Sequence, residues 1–125
     1  MPLKPGLSAE IELSVTDADT AAALHSGSVA VLGTPRIVAL AEEASCAAID
    51  NELGKDETSV GLRVELTHLQ PTKVGSSVRA ESTLEKIEGR RLTFTVSVSD
   101  AGGLVAAGKV TRVVVDVDKF MDKAR

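Results

Sequence analysis

Thr34-Pro35-Arg36-Ile37-Val38-Ala39-Leu40-Ala41-Glu42-Glu43-Ala44-Ser45-Cys46-Ala47-Ala48-Ile49-Asp50-Asn51-Glu52-Leu53-Gly54 is the one long stretch of this chain with helical periodicity. Threonine is a capping residue, and proline behind it suits the first helical position, where its missing N–H is not needed. Gly54 reads as a left-handed stop, so the expected helix runs from Thr34 to about Leu53. Arg36, Glu43 and Asp50 make one polar stripe along it. Ile37, Val38, Leu40, Ala41, Ala44, Ala47, Ala48 and Ile49 fill most of the rest. A helix this apolar is wrapped by something rather than resting on a surface.

The flanking sequence supplies the wrapper. Upstream, residues 6–15 alternate over Ile11, Leu13 and Val15, which predicts an edge-type strand. Thr16-Asp17-Ala18-Asp19 then offers caps for a short Ala-rich turn or helix through Leu24, and His25-Ser26-Gly27-Ser28 reads as loop. Downstream, Val60, Leu62, Val64 and Leu66 alternate up to His68, and residues 74–84 continue as strand with Ile87 beyond them. Glu88-Gly89 is a turn signal, Leu92, Phe94, Val96 and Val98 alternate again, and Asp100-Ala101-Gly102-Gly103 ends that run. A last strand covers residues 104–117. Strand, helix, then four antiparallel strands at hairpin spacing predicts an α+β domain, residues 1–125 as one unit, in which a curved sheet wraps one central helix.

Composition narrows the partners. The chain has 125 residues, 43% hydrophobic and 26% charged, which suits a globular protein rather than a disordered one. Fourteen basic against eighteen acidic residues give a net charge of −4, and Phe94 and Phe120 are the only aromatics. No nucleic-acid partner is expected from such a surface. One cysteine, Cys46, and two distant histidines leave no metal-binding pattern. Met1-Pro2-Leu3-Lys4-Pro5-Gly6 is not followed by an apolar run, and no apolar stretch is long enough to span a bilayer. A cytoplasmic protein without a membrane partner is therefore expected. There is no G-x-S-x-G elbow, P-loop or dinucleotide fingerprint.

Four residues stand out within that frame. Glu42 and Glu43 are adjacent, yet Glu43 lies on the polar stripe while Glu42 has Val38, Cys46 and Ile49 on its face. A carboxylate there reaches solvent at a helix edge, pairs with a buried arginine, or serves chemistry, because burying it unpaired is costly. His68 ends a strand whose same-face neighbours are Leu66, Val64 and Leu62. Alone, a histidine on an apolar face is more often a satisfied core residue than a catalyst, though its charge switches readily near neutral pH. Arg112, between Val110 and Val114, could be a partner for a buried carboxylate, a ligand clamp, or an outward surface residue. Gly61 inside a strand signals a bulge or a close approach to ligand. His25, in a polar loop, carries no such hint.

The order strand, Thr34-Pro35…Glu42 helix, Gly61-x6-His68, Glu88-Gly89-Arg90-Arg91-Leu92 hairpin and Arg112 resembles the hot-dog fold, and within it the fluoroacetyl-CoA thioesterase-like family. The resemblance runs from about Gly6 to Lys123, and its most specific parts are Thr34 with Glu42 and Gly61 before Thr67-His68. It implies a five-stranded antiparallel sheet around the helix and hydrolysis of an acyl-CoA thioester, with coenzyme A part of the substrate and no other cofactor. It implies Thr34, Glu42 and His68 as catalytic residues and Gly61 and Arg112 as contacts of the acyl group. It also implies a homodimer, or a dimer of dimers, with sheets joined edge to edge and active sites near the interface.

Two features depart from the family pattern. Residues 25–33 hold no aromatic where the fluoroacetyl-specific enzyme has phenylalanines. Eight residues of straight helix rise about 12 Å, so Thr34 should not touch Glu42 unless the chain bends between them. The alternative to an esterase is a non-catalytic hot-dog protein that binds acyl-CoA as a sensor or carrier, which would have no need of Thr34, Glu42 and His68 together. A hydratase of the same fold would pair an Asp with a His, and no such pair is visible.

Overall fold

The computed structural model describes residues 3–125. Strand β1 (Ser8–Ser14) leads through a 3-10 turn at Asp17–Asp19 and a loop into helix α1 (Thr34–Ile49). Strands β2 (Glu57–His68), β3 (Ser77–Glu88), β4 (Arg91–Asp100) and β5 (Gly103–Asp116) follow, and a short helix α2 (Val117–Asp122) ends the order. The five strands form one antiparallel sheet in the order β1-β3-β4-β5-β2, which leaves β1 and β2 as its edges.

The α1 face that enters the sheet is the one periodicity predicts. Ile37, Leu40, Ala41, Ala44, Ser45, Ala48 and Ile49 are buried. They meet Val78, Ala80, Leu84, Leu92, Phe94, Val96, Val98 and Val110, which alternate inward from β3, β4 and β5. Ser45 is the polar exception, and its hydroxyl is satisfied by Ala41 O at 2.9 Å and Ser82 Oγ at 2.8 Å. Arg36 joins the polar stripe to the loop before it, bonding Glu43 at 2.8 Å and Asp19 at 3.3 Å. Asp19 also accepts the Thr16 backbone N–H at 2.8 Å and the Thr16 hydroxyl at 2.9 Å. The backbone bond, seconded by the hydroxyl and Arg36 and opposed by burial, holds the Asp19 carboxyl below its usual range.

Several boundaries differ from the sequence expectation, each for a local reason. Thr34 is the first helical residue and not the cap. Gly33 caps instead, its carbonyl accepting the N–H groups of Arg36 and Ile37, which leaves the Thr34 side chain free. The helix stops at Ile49 rather than near Leu53, because Asp50–Glu52 tightens into a 3-10 turn and Leu53 is already extended. Gly54 is therefore no left-handed stop; the left-handed glycines are Gly6, Gly75, Gly89 and Gly103. Of the turn or helix expected through Leu24, the chain takes the turn, over residues 21–25. Val74 lies in the turn before β3, where Gly75 takes a positive φ. Ala47, expected inside, is exposed. The last strand ends at Asp116, whose side chain caps α2 by accepting the Lys119 N–H at 3.1 Å. Leu62 does not join the covered face of β2: pairing shifts between Gly61 and Arg63, and Leu62 is the bulged residue, 54% exposed.

Candidate active site

The elements deliver the expected residues as two separate pairs. At the start of α1, the Thr34 hydroxyl lies 2.7 Å from Nδ1 of His68, the last residue of β2. The other ring nitrogen, Nε2, is 3.1 Å from the Gln70 carbonyl oxygen. A carbonyl can only accept, so Nε2 carries the proton. In the neutral ring Nδ1 is then an acceptor, and the Thr34 hydroxyl donates to it. Because Gly33 has taken over the capping, Thr34 is available for this bond. Val64 and Leu66, on the same strand face, pack against the core and fix the rail on which His68 sits.

The second pair lies two helical turns further on. Glu42 Oε2 accepts from Arg112 Nη1 at 2.9 Å. Arg112 is the charge partner of a partly covered carboxylate, one of the three readings that its spacing left open. Its side chain is 9% exposed, that of Glu42 33%, and that of Glu43 51%, so the helix does give adjacent glutamates different surroundings. Arg112 Nε donates to Ser59 Oγ and Nη2 to Ser59 O, both at 2.8 Å. Gly61 pairs with Arg112 across the ladder. A Cβ built on Gly61 would collide with Glu42 Oε2, so the glycine is what leaves room for the carboxylate. Glu42, Gly61, Arg112, Cys46, Ala39 and Ile11 are among the residues lining a cleft of about 540 Å³ at this point.

No hydrogen bond within the chain joins the two pairs among the described residues. The helix is unbroken from Thr34 to Ile49, so the separation expected from eight residues of rise stands. His25 is exposed in its loop with φ 58°, and nothing brings it to either pair. Sequence reading missed Ser59, which holds two of the three bonded nitrogens of Arg112. Its signal was present: a small polar residue two positions before Gly61, on one face of a strand otherwise rich in aliphatics. Gln70 was invisible in principle, since only its backbone takes part.

A five-stranded antiparallel sheet curled on one long helix defines a hot-dog protein, here with a carboxylate, a histidine and a hydroxyl on the helix and an edge strand. Comparison with known proteins narrows the class. Residues 15–118 match the family described as FlK, fluoroacetyl-CoA-specific thioesterase. The fluoroacetyl-CoA thioesterase of Streptantibioticus cattleyicolor is 34% identical over 95 residues, covering 76% of this chain and 68% of that protein. A solved structure of the fluoroacetyl-CoA thioesterase FlK superposes with a TM-score of 0.94 at 27% identity, covering 100% of this chain and 97% of its own. A thioesterase superfamily member from Thermus thermophilus gives a TM-score of 0.89 at 29% identity, covering 97% and 90%. The chain belongs to the fluoroacetyl-CoA-specific thioesterase family. Among the described residues, no helix is long and apolar enough to cross a membrane.

Proposed function

We propose that the protein hydrolyses acyl-CoA thioesters, with Glu42, His68 and Thr34 as the catalytic groups. The observation that carries this reading is the Thr34–His68 bond of 2.7 Å. It is a hydroxyl poised on a histidine base, which a carrier that only binds acyl-CoA does not need. Glu42 keeps one carboxylate oxygen outside its bond to Arg112 and faces a cleft. It either attacks the thioester carbonyl or takes a proton from the water that does. In the first case the carbon–sulfur bond breaks to give a mixed anhydride and coenzyme A thiolate, and water then cleaves the anhydride. In the second, water adds directly and the same bond breaks. His68 carries protons to the leaving thiolate or from water through the Thr34 hydroxyl bonded to its Nδ1, and the backbone N–H groups beside Thr34, at the positive end of the α1 dipole, orient the carbonyl.

The enzyme acts as a homodimer on this reading. Strand β2 is an edge, with one side of its backbone unpaired in the sheet, and such an edge invites pairing with another chain. Seven residues of strand separate Gly61 from His68, about 20 Å, so Thr34–His68 and Glu42 of one chain are too far apart to share a substrate carbonyl. Antiparallel pairing of two β2 strands about a two-fold axis near Val64 would set His68 of one protomer beside Gly61 of the partner subunit. Each complete site would then draw on both chains.

The test is free thiol release from a panel of acyl-CoA esters, with light scattering on the same sample. Glu42→Gln should lower kcat by at least a hundredfold and Glu43→Gln by less than twofold. Equal activity in both variants removes Glu42 from the mechanism. A monomer at micromolar concentration removes the shared site. Label in the Glu42 carboxylate after single-turnover hydrolysis in ¹⁸O-water would establish Glu42 as the nucleophile, since a water it merely activates leaves its oxygen only in the product acid.

A further inference from the structure

We propose that Ser59 is a positioning residue for Glu42, acting through Arg112; this rests on the reading of Glu42 as a catalytic carboxylate. A guanidinium is a flat fork whose N–H directions are fixed relative to one another. Ser59 takes two prongs, Nε on its hydroxyl oxygen and Nη2 on its backbone carbonyl, both at 2.8 Å. With two directions fixed by one residue in a paired strand, the plane of the guanidinium is set and Nη1 points one way. That way is occupied by Glu42 Oε2 at 2.9 Å. Ser59 and Arg112 are both buried, so water does not readily replace either partner. The Ser59 hydroxyl also lies 4.0 Å from Cys46 Sγ, on the helical turn after Glu42.

The consequence concerns which carboxylate oxygens are engaged. While Nε is held by Ser59, Arg112 offers Glu42 a single N–H and leaves its second oxygen open toward the cleft. Without the Ser59 hydroxyl, Nε–H is buried with no acceptor, and a buried donor of that kind seeks one. The nearest anion is Glu42. Rotation of the fork would place Nε and Nη2, whose N–H groups run parallel, on both carboxylate oxygens, a geometry arginine favours. Glu42 would then be bound at both oxygens and turned from the cleft. Ser59 keeps Arg112 monodentate.

Ser59→Val and Ser59→Thr test this as a pair, because they share a shape and differ by the hydroxyl. Ser59→Val should lower kcat at least tenfold with KM within threefold, whereas Ser59→Thr should recover most of the wild-type kcat. Nitrogen-edited NMR of arginine side chains supplies a readout that does not depend on turnover. The Arg112 Nε–H signal should shift strongly in Ser59→Val and stay near its wild-type position in Ser59→Thr. Equal kcat in the two variants, or an unmoved Arg112 Nε–H signal in Ser59→Val, overturns the proposal. If Glu42→Gln keeps full activity, the catalytic reading of Glu42 fails by itself, and the NMR comparison still decides whether Ser59 sets the arginine.

Discussion

Adding one methyl group at Gly61 separates the site from the fold. Gly61 does not occupy the left-handed region, so alanine is compatible with its backbone. The new Cβ would collide with Glu42 Oε2, while Glu42 Cδ and Arg112 Nη1 would each lie at 3.6 Å, an ordinary contact. The only atom in the way is the end of a flexible side chain, which moves by roughly 1 Å and abandons Arg112. A hydrogen bond to a charged group contributes about 1.5–3 kcal/mol where both partners are buried. Glu42 is one-third exposed, so solvent screening reduces that to about 1 kcal/mol. Alanine recovers roughly 0.5–1 kcal/mol over glycine within a strand. The net change in stability is thus under about 1 kcal/mol, a Tm shift of no more than about 5 °C. Activity should suffer far more, because a 1 Å displacement of a reacting group can cost about a hundredfold in rate. Calorimetry and thiol-release kinetics on Gly61→Ala check the two halves. A variant with wild-type kcat would refute the reasoning, since Glu42 would then work equally well away from Arg112.

Three further outcomes follow from the geometry. Thr34→Val removes the donor to His68 Nδ1 at an exposed position, so kcat should fall about 10²-fold or more, with Tm nearly unchanged and Thr34→Ser much less impaired. The Asp19 carboxyl is held low in the folded state, so its stabilising effect is complete above the ordinary aspartate value near 3.9 and fades as pH falls through its lower folded value. Asp19→Ala should accordingly cost about 1 kcal/mol in urea unfolding at pH 7 and clearly less at pH 2. Residues 20–33 close on themselves through Ala21 N–H to Val31 O at 2.8 Å and present Leu24 and Val29 rather than aromatics, so kcat/KM for fluoroacetyl-CoA should exceed that for acetyl-CoA by less than a thousandfold, about 4 kcal/mol.

The helix and sheet were legible because both carry strong periods: the buried side of α1 recurs every three or four residues, β4 alternates without a break, and β3 alternates up to its bulge after Leu84. Glu42 could be told from Glu43 for the same reason, since a 100° step of the helix wheel separates a covered edge from the solvent stripe. Signals that depend on three-dimensional competition were not legible. A capping threonine and a threonine bonded to a distant histidine look alike in sequence, and only the Gly33 carbonyl shows which one Thr34 is. Helix α2 is six residues of mixed character, short enough that its Asp116 cap and its docking decide it rather than its pattern.

The misplaced Leu62 explains how β2 can serve both pairs. Side chains alternate along a strand, so residues seven apart point to opposite faces of a regular one. Gly61 and His68 are seven apart, yet both turn to the helix side: the Cβ direction of Gly61 meets Glu42, and the His68 ring meets Thr34 at the start of α1. Their partners on β5, Arg112 and Ala106, are an even number apart and keep one face without interruption. The parity is reconciled by the bulge, where Leu62 is left without a partner between Gly61 and Arg63. Before it Ser59 and Gly61 face inward, and after it Val64, Leu66 and His68 do. A plain alternation read back from His68 puts Leu62 inside and Gly61 outside, which reverses both. The glycine that makes room for the carboxylate and the histidine that holds the threonine therefore share a strand face only because one leucine is expelled to the surface. That leucine stands on an edge strand of the sheet.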